Sequence, residues 1–342
     1  MIGLLCCIRS LLCQDLAEAA LRAALTTAVK KRLMTERPVA ALLSGGVDSS
    51  LIAALVQREL KEMGKPALET YSIGFEGSPD LHYARKVAEH IGSNHTEVVV
   101  TPDDFFAAIP DVVQAIESYD ITTVRASVGN WMVAREIARL SEAKVVFNGD
   151  GADEVFGSYL YFYRAPTDEA FEAESGRLLQ DIHLYDVLRS DRCISSHGLE
   201  PRTPFLDKQF VAVARSLPTV WRRPERATAT APGRCEKWIL RSAFKPLDLL
   251  PHEVLWRQKE AFSDGVSRQQ KSWYQEIQER VPAITDASAW TYLPPPSAEA
   301  QYYRTLFDRW YGLPCEKVIP YFWMPKWSGE TKDPSARTLS LY

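Results

Sequence analysis

Apolar and polar positions alternate between two periods along the first half of the chain. Val39-Ala40-Ala41-Leu42-Leu43 is a short uninterrupted apolar run, as fits a strand buried on both faces of a parallel sheet, and Leu51, Ile52, Leu55 and Val56 then recur at helical spacing. Thr70 to Phe75 reads as a second strand, reached through the break Gly64-Lys65-Pro66. Leu81, Ala84, Val87, Ala88 and Ile91 form the face of a helix that stops at Gly92, and Thr96 to Val100 is a third strand. Pro102 and Asp103 open a helix running to Gln114, another is expected from about Ser127 to Leu140, and Lys144 to Phe147 is a fourth strand. Upstream, Asp15 followed by Glu18 reads as a helix start, with Leu21, Leu25, Val29 and Leu33 on one face. The alternation predicts an α/β fold with a doubly wound parallel sheet. Beyond Glu154 strand signals stop and a mostly helical second half is expected, with Tyr292 to Ser297 as an irregular connector and a frayed end after Trp327.

In open parallel sheets ligands lie outside the carboxyl ends of the strands, so the residues that follow each strand carry the chemistry. After the first comes Leu43-Ser44-Gly45-Gly46-Val47-Asp48-Ser49-Ser50. Two glycines let the backbone turn tightly, three serines add hydroxyls, and the unpaired N–H groups of a new helix favour anionic phosphate. A serine-capped βα turn would look much the same, but Asp48 among phosphates implies a cation between them, which points to Mg2+. Neither G-x-x-x-x-G-K-[ST] nor a G-x-G-x-x-G following a strand is present. After the fourth strand, Asn148-Gly149-Asp150-Gly151-Ala152-Asp153-Glu154 places three carboxylates within a few residues, an arrangement that needs a cation or donors to offset it.

The double-glycine loop resembles that of the N-type ATP pyrophosphatases, and the surrounding sequence is similar to the synthetase domain of asparagine synthetases from about Asp15 to Asp333-Pro334-Ser335-Ala336-Arg337. Such enzymes cleave ATP between the α and β phosphates and leave AMP on a carboxylate. The resemblance implies that Leu43, Ser44, Gly45, Gly46, Asp48, Ser49, Ile73, Asn148 and Gly149 bind ATP, Ile73 against the base, and that Asp48 and Asp153 hold Mg2+. The segment Tyr119 to Ser127, read as lying between two helices, then offers Thr122, Thr123 and Arg125 to the aspartate substrate. Arg257-Gln258-Lys259-Glu260-Ala261-Phe262-Ser263-Asp264-Gly265 matches the family's lysine loop and makes Lys259, with Asp150 and Arg125, the catalytic set. The segments around Arg202 and Glu236 to Arg241 are similar too and are assigned mainly to packing, with Arg202, Lys237 and Arg241 as further candidates. Asn148 and Asp150 depart from the family's Ser-Gly-Glu-Gly pattern, and a carboxylate one methylene shorter has to sit closer to its target.

The 342 residues, 46% apolar and 25% charged, suffice for one large or two modest domains. The expected organisation is an apolar tail over 1–14, read as a docking segment, an ATP-pyrophosphatase core over 15–160, and a helical part of the same domain over 161–342. A net charge of −4 with scattered basic residues gives no support to a nucleic-acid partner, and no run is suited to span a bilayer. Six cysteines without zinc or disulfide spacing fit a reducing, cytoplasmic setting.

The expected reaction is ATP-dependent ligation of aspartate and ammonia. Glutamine-using members begin with a glutaminase domain whose nucleophile is an N-terminal cysteine; residue 2 here is Ile2, so ammonia is expected from solution or from a separate glutaminase subunit. A homodimer is among the open assembly states. Two other readings remain: a β-lactam-synthetase-like ligase acting on another acid, against which the Tyr119–Ser127 and Lys259 segments argue, and a nucleotide-binding or regulatory protein without catalysis.

Overall fold

The computed structural model describes residues 2–227, 233–259, 265–267, 271–283, 290–329 and 333–335, with side chains from Cys13 onward. The lysine loop beyond Lys259 (residues 260–264), the chain end after Ser335, and the side chains of the apolar tail lie outside the described residues.

Chain order gives α1 (Ile2–Lys31), β1 (Val39–Leu42), α2 (Val47–Glu62), β2 (Glu69–Phe75), α3 (Pro79–Ile91), β3 (Asn94–Val100), α4 (Pro102–Ile116), α5 (Ile121–Leu140) and β4 (Val145–Phe147). There follow α6 (Ala152–Phe156), α7 (Asp168–Asp181), α8 (Asp186–Ser195), β5 (Glu200–Arg202), α9 (Lys208–Ser216), α10 (Thr219–Arg222), α11 (Trp238–Phe244), α12 (His252–Leu255), α13 (Trp273–Arg280) and α14 (Ala298–Tyr311). The sheet is five-stranded, in the order β3-β2-β1-β4-β5, and every pair is parallel. The order reverses between β1 and β4, and their register, Ala41 opposite Phe147, sets the double-glycine bend beside Asn148 and Gly149. This is the doubly wound α/β fold expected from the alternation.

Successive strand residues feed opposite cores, as the two-residue period requires. Ala41, Val145 and Phe147 pack with Leu25, Leu51, Leu55 and Phe210 beneath α1, α2 and α9. Ala40, Ile73 and Val146 pack on the other face with Ile109, Val128, Trp273, Tyr303 and Phe307 from α4, α5, α13 and α14. The C-terminal helices α13 and α14 therefore complete the same core that the strands begin.

Three expectations are corrected. A fifth strand, β5, exists where only helix was expected; Pro201 hides it in the sequence, but β5 is an edge strand, where a missing N–H is tolerated. Helix α5 begins at Ile121 rather than near Ser127, because Asp120 caps it by accepting from Thr123 N at 2.8 Å. The first helix runs back to Ile2, so Asp15 lies inside it and is no cap; no proline interrupts residues 2–31. Among the described residues no helix is long and apolar enough to cross a membrane.

Candidate active site

The bend after β1 is shaped by what its glycines leave out. Gly45 has φ +71, and a Cβ there would lie 2.5 Å from Tyr83 Cβ, so only glycine lets the bend press against α3. From the facing loop, a Cβ on Gly149 would lie 2.7 Å from Ser49 N. The two loops thus touch backbone to backbone. Gly46 is the N-cap of α2 and offers no side chain to the helix's first N–H groups, which leaves them for an anion. Ser49 Oγ accepts from Ser44 N at 3.1 Å and lies 3.0 Å from Ser44 Oγ, fixing the bend from within.

Beside it sits an alternating cluster of charges. Lys237 Nζ donates to Asp48 Oδ2 at 2.5 Å and to Asp153 Oδ1 at 2.6 Å, and Lys259 Nζ donates to Asp153 Oδ2 at 2.5 Å. Ser158 Oγ adds a donor to Asp153 Oδ1 at 2.5 Å. Burial works to raise the Asp153 carboxyl, but the two ammonium groups overcome it and hold it well below the carboxylate range. For Lys259 burial works downward, and Asp153 and Asp48 more than reverse it, so the ammonium stays charged. Asp48 Oδ1 is buried and has no hydrogen-bond partner. That orphaned oxygen, with Asp153 close by, suits Mg2+, which takes one or two carboxylates and completes its shell with phosphate and water. Among the described residues no group of three or more His, Cys, Asp or Glu side chains is arranged to hold a metal ion.

The far end of the cavity is built by a chain of paired groups. Asp150 Oδ1 lies 3.4 Å from Arg189 Nη2, and Arg189 also reaches Asp186 Oδ1 at 3.1 Å. Tyr159 OH donates to Glu154 Oε1 at 2.5 Å and to Asp186 Oδ2 at 3.2 Å. Burial, then Asp186 and Asp153, push the Glu154 carboxyl well up. Asp150 Oδ2, Arg189 Nε and Thr122 Oγ1 are buried without partners, three polar atoms that a polar ligand would satisfy. Trp323 closes this end, its backbone N–H donating to Asp120 Oδ1 at 2.7 Å and its ring edge-on to Tyr159. Lys259 Nζ stands 5.5 Å from the Tyr159 ring centroid, between the two ends.

One cavity of about 210 Å3 holds Leu43, Ser44, Gly46, Asp48, Ser49, Ile73, Thr122, Asn148, Gly149, Asp150, Asp153 and Lys259 in its wall. Gly45, Thr123 and Arg125 are not part of that wall. Gly45 faces α3. Thr123 spends its N–H and hydroxyl on Asp120. Arg125 is turned away altogether: Nε and Nη2 bond the Glu299 carboxylate at 2.8 and 2.6 Å, and Nη1 and Nη2 bond Asp333 at 3.0 and 2.8 Å. The start of α5 at Ile121 is the reason, since it puts Thr122 and Ala126 on the cavity side and Arg125 against α14. Asn148 lines the cavity, but its amide is engaged, donating to Ser190 Oγ at 2.6 Å and accepting from Asp150 N at 3.2 Å.

Sequence reasoning missed Arg189, Asp186, Tyr159 and Trp323, and it assigned the Lys237 segment mainly to packing. Asp186 and Arg189 read as an ordinary i, i+3 surface pair of α8, and nothing local distinguishes Lys237 from a solvated lysine.

A match to the asparagine synthase family spans residues 20–175 and 166–317. The chain is 44% identical over 330 residues to the glutamine-hydrolysing asparagine synthetase of Gallus gallus and 45% identical over 330 residues to that of Homo sapiens. Each alignment takes in 94% of this chain and 57% of the relative, so the chain spans little more than half the length of these relatives. Among solved structures, NAD+ synthetase from Burkholderia pseudomallei is similar at 17% identity with a TM-score of 0.29, covering 68% of this chain and 87% of that one, too loose a likeness to argue from.

Proposed function

Since the chain belongs to the asparagine synthase family, we propose that it is an AMP-forming ligase that makes asparagine from aspartate, ammonia and ATP. In this reading the adenine lies against Leu43 and Ile73, and the triphosphate follows the Ser44–Ser49 bend into the N–H groups of α2. Mg2+, held by Asp48 and Asp153, would offset phosphate charge and orient the pyrophosphate. An oxygen of the aspartate β-carboxylate attacks the α-phosphorus, and the bond to pyrophosphate breaks. Lys259 is placed to neutralise the charge that develops as pyrophosphate departs. Ammonia then attacks the activated carbonyl carbon, and AMP leaves with the former carboxylate oxygen. Asp150, steadied by Arg189, is the base for the nitrogen nucleophile, while Thr122, Asp186 and Arg189 are the polar groups available to the amino acid's α-amino and α-carboxylate groups. Arg125 acts by fixing α5 to α14 rather than by touching substrate.

The observation that most supports this reading is that the phosphate-suited bend, the Asp48–Lys237–Asp153–Lys259 cluster and the Asp150–Arg189 pair share one cavity although the sequence scatters them. The test is pyrophosphate release from ATP with aspartate and an ammonium salt each omitted in turn, and with glutamine replacing ammonium in a further arm. Release that needs aspartate supports the assignment; release indifferent to it rejects the substrate.

A further inference from the structure

Lys237 is the least expected member of the site. Its side chain is 0% exposed, its ammonium stands between Asp48 and Asp153 at 2.5 and 2.6 Å, and it lies on the segment leading into α11, remote in sequence from both. Its backbone is left-handed at φ 57, ψ 24, a conformation that residues with a side chain rarely adopt and that persists only where the surroundings impose it. A strained backbone and a fully enclosed side chain thus serve a single placement: a cation between two carboxylates that a divalent metal would otherwise bridge.

The charges balance without metal. Asp48 and Asp153 bring two formal negative charges, and Lys237 and Lys259 two positive ones, linked in the order Asp48–Lys237–Asp153–Lys259. For a divalent ion entering this neutral cluster, the two ammonium groups at close range offset the attraction of the two carboxylates, and a buried setting screens that offset poorly. A triphosphate changes the balance, since it brings several negative charges with which the lysines can pair. We propose that Lys237 is a built-in counter-ion that withholds Asp48 and Asp153 from divalent metal until nucleotide arrives, so that metal enters only together with ATP. The inference rests on the proposed use of Mg2+ and ATP at this cavity. It makes Lys237 a positioning residue that orders binding, a role distinct from that of Lys259 at the reacting phosphorus.

The test uses Mn2+ as probe, with free ion followed by electron paramagnetic resonance, on the wild-type chain, Lys237→Gln and Lys237→Arg, each with and without α,β-methylene-ATP. Wild type is expected to bind Mn2+ far more weakly without the analogue than with it. Lys237→Gln gains nucleotide-free Mn2+ affinity by about tenfold or more, the smaller end of what one adjacent charge does to an ionic equilibrium. Lys237→Arg, which keeps the charge, behaves as wild type. If Lys237→Gln does not fold, Lys237→Met carries the same expectation, its unbranched stem filling the same space. Wild-type Mn2+ binding as tight without the analogue as with it overturns the proposal, and so does an equal gain in the glutamine and arginine variants, which would mark a loosened site rather than a removed charge. Binding of the analogue by wild type with no gain in Lys237→Gln counts against this inference alone. Failure of every form to bind the analogue counts against the ATP reading, and this inference falls with it.

Discussion

Replacing Arg125 with methionine separates a substrate-binding arginine from a structural one. The guanidinium is 4% exposed and fills both oxygens of Glu299, itself 1% exposed, while also holding Asp333. Burial works to lower its pKa, and Glu299 and Asp333 reverse this so far that the charge is never in question. Methionine keeps much of the volume and removes the charge, leaving Glu299 buried with Tyr303 OH, at 2.8 Å, as its remaining side-chain donor among the described residues. Removing one partner of a buried ion pair costs about 3–5 kcal/mol, most of it the uncompensated charge left behind. Arg125→Met is therefore expected to lose that much unfolding free energy in urea, and Arg125→Met combined with Glu299→Gln to recover a substantial part of it. Aspartate KM, measured at a temperature where the single variant remains folded, should stay close to wild type. A variant of undiminished stability whose aspartate KM rises steeply would refute the structural assignment and return Arg125 to the substrate.

Lys259→Met should lower kcat on the order of a hundred- to a thousandfold with a much smaller change in ATP KM, since its charge is needed chiefly as pyrophosphate leaves; steady-state pyrophosphate release checks this. Gly149→Ala places a methyl 2.7 Å from Ser49 N and should push the two loops apart, costing about 1–3 kcal/mol of stability and weakening ATP in calorimetry, and unchanged ATP binding would contradict the loop contact. Burial pushes the Asp120 carboxyl up to about 6, above its ordinary 3.8. The neutral acid is thus favoured in the fold: the contribution is full below pH 4 and is lost as pH rises to about 6, a swing of about 3 kcal/mol at ~1.4 kcal/mol per unit. Stability curves of wild type and Asp120→Asn should diverge in that window, and parallel curves would contradict the assignment.

The legible part of the molecule was the part written locally. Strand runs such as Val39 to Leu43 and the two glycine-bearing turns are contiguous, and a parallel sheet brings the ends of its strands together by topology, so Asp48 and Asp153 follow neighbouring strands and line one cavity. What stayed hidden depends on partners far along the chain. Arg125 meets Glu299 174 residues later, and Lys237 meets Asp48 189 residues earlier; no window of sequence contains either contact. Resemblance marked both segments but could not say which way a side chain turns. For Arg125 that was decided by one capping carboxylate, Asp120, which starts α5 early and rotates the arginine out of the cavity. Likewise β5 escaped notice because Pro201 is a poor strand residue everywhere except at an edge.

The central claim is that ATP lies across the Ser44–Ser49 bend and passes its AMP to a carboxylate of aspartate. It is tested most directly with aspartate carrying 18O in its β-carboxylate, incubated with the protein, ATP, Mg2+ and ammonium, followed by mass spectrometry of the nucleotide product. One labelled oxygen should appear in AMP for each asparagine formed. Asparagine formed alongside unlabelled AMP, or ATP consumed to ADP instead, would contradict it.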